Sequence, residues 1–271
     1  MNKQSIFLVV IAVLATTALG QGKEGKLHGL VDVTFQGKYI WRGFDMFGDK
    51  SAIQPTVDLD LFGTGFGVSV MAHRANSSGF EKQERWDYMV YYYNSLFDNS
   101  PFVTNYRLGW VYYNYPQWRS EEIDLQEVNG IFSWPSILPV ERLVPSYVAV
   151  RMWPSRSGSL VGSKAPGTGT ASGWFHILML DYGLPLGGLT PQSPEQVINF
   201  HGEIVYNDGV GPFGQNIDQD WSHAVFGVST DIDLGNNLTF VPGFYYQRRL
   251  ERAVNPDPDE NWVTLSLRFA F

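Results

Sequence analysis

Cysteine is absent from all 271 residues, so neither a disulfide nor a thiolate nucleophile or metal ligand is available. Charged residues are sparse at 17%, and positive ones are the scarcer kind: 19 Lys and Arg stand against 27 Asp and Glu, a net charge of −8. Phosphate recognition needs the opposite balance, which argues against nucleic acid as a partner. Beyond residue 20 no apolar run reaches the roughly 18 residues of a membrane-spanning helix. What the chain does have is aromatic residues, 15% of the total, with 28 glycines and long stretches of strict apolar/polar alternation. Such alternation averages hydropathy away, so a mean hydropathy near zero is compatible with membrane-crossing strands.

Residues 1–20 read as a signal peptide. Lys3 supplies the positive start, Ile6 to Leu14 the apolar stretch, and Ala18-Leu19-Gly20 a small-x-small cleavage site before Gln21. That apolar stretch is too short to anchor the chain as a helix. Residues 21–271 then form one unit without a linker, repeat or low-complexity tract. Its ending is distinctive: Val263, Leu265, Leu267, Phe269 and Phe271 alternate with Thr264, Ser266, Arg268 and Ala270. A strand built this way has one face for lipid and one for water. It resembles the closing strand of Gram-negative outer-membrane β-barrels, in which the terminal Phe is read by the barrel-assembly machinery. That resemblance makes Phe269 and Phe271 the expected assembly signal and the outer membrane the expected location.

Period-two alternation predicts about twelve strands, with ten to fourteen as the range, in an all-β, antiparallel, up-and-down transmembrane barrel. They are expected near residues 28–42, 53–62, 66–73, 86–94, 103–114, 123–133, 144–153, 173–184, 197–207, 221–232, 238–248 and 261–271. The clearest pair is Ile53–Phe62 with Phe66–His73 around the turn Gly63-Thr64-Gly65. With the N-terminus in the periplasm, the longer links rich in Gly, Asn, Ser and charge all fall outside, including the fourth, Pro154 to Ser172, whose composition suits an inward-folding plug. The links from Ser95 to Phe102, Trp134 to Leu143 and Pro185 to Gln196 fall on the periplasmic side. Tyr39, Trp41, Trp86, Tyr88, Trp110, Tyr112, Trp153, Trp174, Tyr206, Trp221, Tyr245, Tyr246 and Trp262 lie near strand ends, where interfacial girdles are expected. A soluble β-sandwich with these aromatics as its core is the competing fold, and it seldom sustains alternation this long.

Gly37-Lys38-Tyr39-Ile40-Trp41-Arg42-Gly43-Phe44, followed by Ile53-Gln54-Pro55 and an acidic alternating strand containing Asp58, resembles the opening of the outer-membrane family called Gcw_chp, related to TorF-type porins. The resemblance covers the first forty residues after the signal and the remainder by pattern alone. It implies a barrel and leaves the solute open.

With apolar faces toward lipid, the expected lumen lining is Asp58, Asp60, His73, Asp87, Arg107, Glu127, Arg151, Asp181, His201, Glu203, His223, Asp231 and Arg268. These side chains act either as a selectivity lining or as an ion-pair network filling a narrow barrel, since twelve strands fall between a filled interior and a channel. Trp41, Arg42, Gly43 and Asp45 form a rim motif, with Arg42 expected to pair with Asp45, Asp49 or a lumen acid and so pin the first loop. His201 and Glu203 share a strand face, but two ligands do not make a zinc site. Asp257 to Glu260 lacks the frame of a calcium loop. No His-x-Ser pair suited to a barrel lipase occurs, and Ser222 and His223, being adjacent, should point to opposite faces. The expectation is a porin-like passive channel for ions or small polar solutes, without cofactor, metal or catalytic residues, whose partners are outer-membrane lipid, the assembly machinery and the solutes themselves. A closed structural or ligand-binding barrel acting through its external loops is the alternative, and an outer-membrane hydrolase ranks third.

Overall fold

The computed structural model describes residues 25–155, 171–190 and 193–271. The signal segment and most of the fourth loop lie outside the described residues. In chain order the elements are β1 (His28–Gln36), β2 (Ile40–Trp41), β3 (Phe44–Asp45), β4 (Ala52–Asp60), β5 (Phe66–Ala75), β6 (Arg85–Leu96) and β7 (Thr104–Asn114). A single-turn helix α1 (Ser120–Ile123) precedes β8 (Leu125–Ser133), β9 (Leu143–Pro154), β10 (Gly173–Thr190) and β11 (Ser193–Val210). The chain closes with β12 (Asn216–Thr230), its short continuation β13 (Ile232–Gly235), β14 (Leu238–Arg249) and β15 (Glu260–Ala270).

Apart from the β2–β3 hairpin, each strand pairs antiparallel with its sequence neighbour, and β1 pairs with β15 to close the ring. The result is a closed barrel of twelve staves, as the alternation predicts. Closure removes the free sheet edges that hydrocarbon cannot solvate. The final residue takes part in it: Phe271 and Gly29 exchange two backbone hydrogen bonds of 2.9 Å. Register fixes the faces. Val31, Val57 and Val70 lie opposite one another across β1, β4 and β5 and point outward, while Asp58 and Ser69 point inward.

Four expectations need correction. The first strand ends at Gln36, six residues early, because Gly37 to Lys50 turns into the barrel. β10 and β11 run through the expected Pro185–Gln196 link, reaching Thr190 and starting at Ser193. At about 3.3 Å per residue each is near 60 Å long, far beyond the 9–11 residues a tilted strand needs to cross, so the hairpin overhangs the barrel in water. On β9 the faces are reversed: Val148, Val150 and Met152 are buried inside, and Arg151 lies opposite outward-facing Val128 and Trp174. Arg151 is therefore on the outer surface, bonded to Ser172 at 2.8 Å and seated over Trp174, and does not line the lumen. Finally, Tyr39, Trp41, Tyr245 and Trp262 face inward, while the remaining nine aromatics of the expected girdle face outward.

The reversal on β9 and the inward Tyr39 and Trp41 share one cause. The end of the barrel that carries the long loops is filled by a hydrophobic core. Tyr39 and Phe47 are 2% and 0% exposed, and Phe44 and Met46 are buried with them. They pack against wall residues including Val111, Val150, Met152, Phe175 and Val205. An inside-apolar pattern thus appears where a pure pore would have polar residues.

Candidate functional site

The inward segment is the first loop. A two-residue corner, Arg42 (φ +50°) and Gly43 (φ +89°), joins β2 to β3 with both residues left-handed, the geometry that tight hairpins favour. Left-handed backbone is uncommon for Arg and costs about 1–2 kcal/mol. Buried contacts compensate. The Arg42 Nη2 donates to Glu127 at 2.6 Å, and the guanidinium lies 4.9 Å from the Phe175 ring centroid and 5.2 Å from that of Trp41. Glu127 also accepts from Tyr113 Oη at 2.6 Å and Asn129 Nδ2 at 2.7 Å.

Gly43 is pinned on the other wall. Its carbonyl accepts from Gln247 Nε2 and Asn255 Nδ2, both at 2.8 Å. A Cβ on Gly43 would stand 2.4 Å from His223 Nδ1. Glu127 belongs to β8 and Gln247 to β14, five staves apart in a ring of twelve. Adjacent residues at the corner therefore touch nearly opposite walls, and the hairpin tip spans the lumen. Of the partners expected for Arg42, the structure selects the lumen acid. Asp45 instead caps its own loop, accepting from the backbone N–H of Phe47 at 3.0 Å and of Asp49, while its own N–H donates to Asp257 at 2.8 Å.

Two further charge clusters hold the plug from above. Lys38 reaches Asp49 at 2.5 Å and Glu260 at 2.6 Å. Hydrogen bonds to Asp49 and then Glu260 raise the ammonium pKa, and the Lys38 bond lowers that of Asp49. Carboxylates of Asp45, Asp49 and Glu260 approach within 4.8 Å of one another, and the Lys38 ammonium pairs with two of the three, Asp49 and Glu260. Arg85, fully buried, donates twice to Asp87 at 2.6 and 2.9 Å and once to Tyr39 Oη at 3.0 Å. His73 bridges Gln54 and Asp87, each at 2.9 Å, and stacks on Tyr39.

Of the remaining predicted lumen residues, Asp58, Asp60 and Arg107 lie toward the other end, and His201, Glu203 and His223 lie beneath the plug tip. Asp58 accepts from Tyr91 Oη at 2.6 Å and Asp60 from Tyr93 Oη. Arg107 lies over the Tyr91 ring at 3.9 Å, and Asp181 bonds His201 Nδ1 at 2.7 Å. His201 and His223 flank Glu203 at 3.5 and 3.9 Å. Arg268 pairs with Asp32 at 3.0 Å and lies 3.8 Å from Asp231. Asp32, Arg85, Gln247 and Asn255 were not expected at the site. Asp32 alternates with Val31 and Val33 and was readable as inward; the other three lie at strand ends or in a loop, where pattern assigns no direction.

Ser222 and His223 depart from expectation as well. A register shift between Val205 and Tyr206 makes Ser222 the extra residue of a bulge, so its Oγ lies 2.9 Å from His223 Nδ1. Ser222 has no exposed surface, so a nucleophile there would lack access to substrate.

The lumen holds two cavities, one of them against the plug. One of about 500 Å³ opens at the short-turn end and is lined by Tyr93, Asn105, Arg107, Ile131 and Ser133. A second, about 160 Å³, lies beneath the plug tip against β11, β12, β14 and β15.

No protein-family model matches the chain, and no curated protein matches it. Solved structures do. The KdgM porin aligns over 89% of this chain and 99% of its own at 10% identity, with a TM-score of 0.51. The translocator domain of the autotransporter NalP from Neisseria meningitidis aligns over 99% and 96% at 11% identity and 0.45, and the CymD monoaromatic hydrocarbon channel over 95% and 90% at 11% and 0.40. At these identities the likeness is one of fold, a closed antiparallel β-barrel, and it does not distinguish the Gcw_chp family.

Proposed function

We propose, from a barrel of outer-membrane porin shape, that this protein is a porin-like channel for small polar solutes whose outer mouth is narrowed by its own first loop. The observation that carries the reading is the division of the lumen. A buried plug fills the long-loop half, while the other half keeps a 500 Å³ cavity with polar lining. A purely structural barrel of this width gains no stability from leaving that half unfilled. Solutes would pass beside the hairpin tip along the β11–β14 wall, or past a displaced plug.

Fixed charge sets the expected selectivity. In the open half Asp58 and Asp60 are held by tyrosine hydroxyls, and among the described residues neither has a cationic partner. Their field should favour cations. Under a KCl gradient in planar bilayers, the refolded protein should give a reversal potential favouring K⁺, weakened by Asp58→Asn with Asp60→Asn. Anion preference would reject the sign argument. The buried plug favours a second reading, a closed barrel acting through its outer loops. Absence of conductance from folded wild-type protein and from a plug-loosened variant would establish that reading in place of the channel.

A further inference from the structure

We infer that the outer wall of β9 and β10 carries a docking site for the phosphate headgroup of a lipid in the leaflet at the long-loop end. Arg151 points to it. The residue stands on the outward side of β9 opposite Trp174, with its guanidinium 5.7 Å from that ring. One nitrogen, Nη2, donates to Ser172 at 2.8 Å. Nε and Nη1 have no hydrogen-bond partner among the described residues and are not buried. Nor does a carboxylate pair with Arg151 among the described residues. Glu127, beside its cross-strand partner Val128, faces the lumen and is taken by Arg42. Asp208 lies two strands away on the far side of Trp174, at about 10 Å. The link that follows, Pro154 to Ser172, contains Arg156 and Lys164 but no acid. A cation left unpaired on a lipid-facing wall is stabilised by an anion at headgroup level.

His176 completes the site. It follows Trp174 by two residues on β10, directly opposite Ala149 and diagonal to Arg151. Diagonal neighbours stand about 7–8 Å apart, a gap that an Arg side chain and a tetrahedral anion close between them, and the small Ala149 side chain leaves it open. Nδ1 of His176 bonds the Tyr147 hydroxyl at 2.7 Å, while Nε2 has no partner and is not buried. A neutral ring accepting at Nδ1, or a protonated ring, presents an N–H at Nε2. Guanidinium and imidazole N–H groups together suit phosphate oxygens. The ring centroids of Tyr147, Trp174 and Tyr206 lie 6.1, 6.1 and 6.4 Å from that of His176, an aromatic surround of the kind found at membrane interfaces. Toward the middle of the barrel the next outward residues of β10, Leu178 and Leu180, are 50% and 46% exposed. Polar side chains thus give way to apolar ones within one step of the strand. That profile matches a phosphate with acyl chains attached, whereas free phosphate would leave the leucines without a role.

Native mass spectrometry tests the site and does not require conduction. The refolded protein is released from neutral micelles holding equal amounts of a phosphatidic acid and a phosphatidylcholine with the same acyl chains. Wild type should retain phosphatidic acid in preference, as a one-lipid adduct. Arg151→Gln should lower that retention about fivefold. Arg248→Gln, exposed on the outer face of β14, should leave it unchanged. His176→Phe, which keeps an aromatic ring and removes both nitrogens, should lower it too. Heat-modifiable migration identifies the variants that fold, and the wild-type preference between the two lipids is read independently of them. Equal retention of both lipids, undiminished retention in folded Arg151→Gln, or an equal loss in folded Arg248→Gln would each overturn the proposal. Displacement of the adduct by excess inorganic phosphate would assign the site to the free ion and overturn the lipid assignment.

Discussion

Replacing Gly43 with Ala tests the plug at the point where its docking is least tolerant. The residue sits at φ +89°, where a side chain costs about 1–2 kcal/mol. Its new Cβ would meet His223 Nδ1 at 2.4 Å, Cε1 at 2.5 Å and Asn255 Nδ2 at 2.9 Å. His223 is fully buried, so relief requires the wall or the hairpin to shift, at about 1–3 kcal/mol for overpacking. Together these shift the docked-to-released equilibrium by about 2–5 kcal/mol, or roughly 30-fold to several thousand-fold. Hydrogen exchange reads this even when the released state is rare, because the Met46 amide is protected only through its bond to the Tyr39 carbonyl at 2.9 Å within the docked loop. Its exchange should accelerate by the same factor, and single-channel recordings should show larger or more frequent openings. Gly63→Ala is the control: φ is +66°, but no atom lies within 4 Å of the added Cβ, so only backbone strain at a remote turn remains. Unchanged Met46 exchange in Gly43→Ala, or equal acceleration in Gly63→Ala, would refute the claim that close packing at the hairpin tip holds the plug.

Deleting Phe271 should lower assembly while leaving export intact, since that residue closes the ring through its two bonds with Gly29; unchanged amounts of heat-modifiable protein would reject this role. Val57→Arg places a cation on an outward position 44% exposed in the middle of β4 and should impair insertion by about 2–4 kcal/mol, whereas Asp58→Asn on the inner face should insert normally. Equal damage from both would contradict the register. Single cysteines at Ser78, in a long loop, and Asp98, in a link of the opposite end, should differ on intact cells: an impermeant maleimide should label the first and spare the second, and the reverse would invert the orientation.

All twelve staves were legible because lipid demands alternation on every strand regardless of what fills the inside. Outward Val31, Val57 and Leu265 follow from pattern alone. The interior was legible where inward positions are polar, Glu127 and His73 in the plugged half included. On β9 the rule that apolar residues face lipid assigned Arg151 to the lumen, and it failed because Val148, Val150 and Met152 serve a second hydrophobic phase inside the barrel. That phase did leave a trace: Tyr39, Ile40, Trp41, Phe44, Met46 and Phe47 make an unusually apolar stretch for an exposed external loop. A loop of that composition at the mouth of a barrel has one nearby place to bury itself, and once it is placed there the corner residues follow. The Arg42 head needs an acid within the lumen, and Glu127 supplies it. The partners of Gly43 follow from no pattern, since Gln247 and Asn255 reach it across 204 and 212 residues of sequence. The side chains that hold the hairpin tip therefore depend on where a glycine carbonyl meets the opposite wall, which is set by closure of the whole ring and by no local stretch of it.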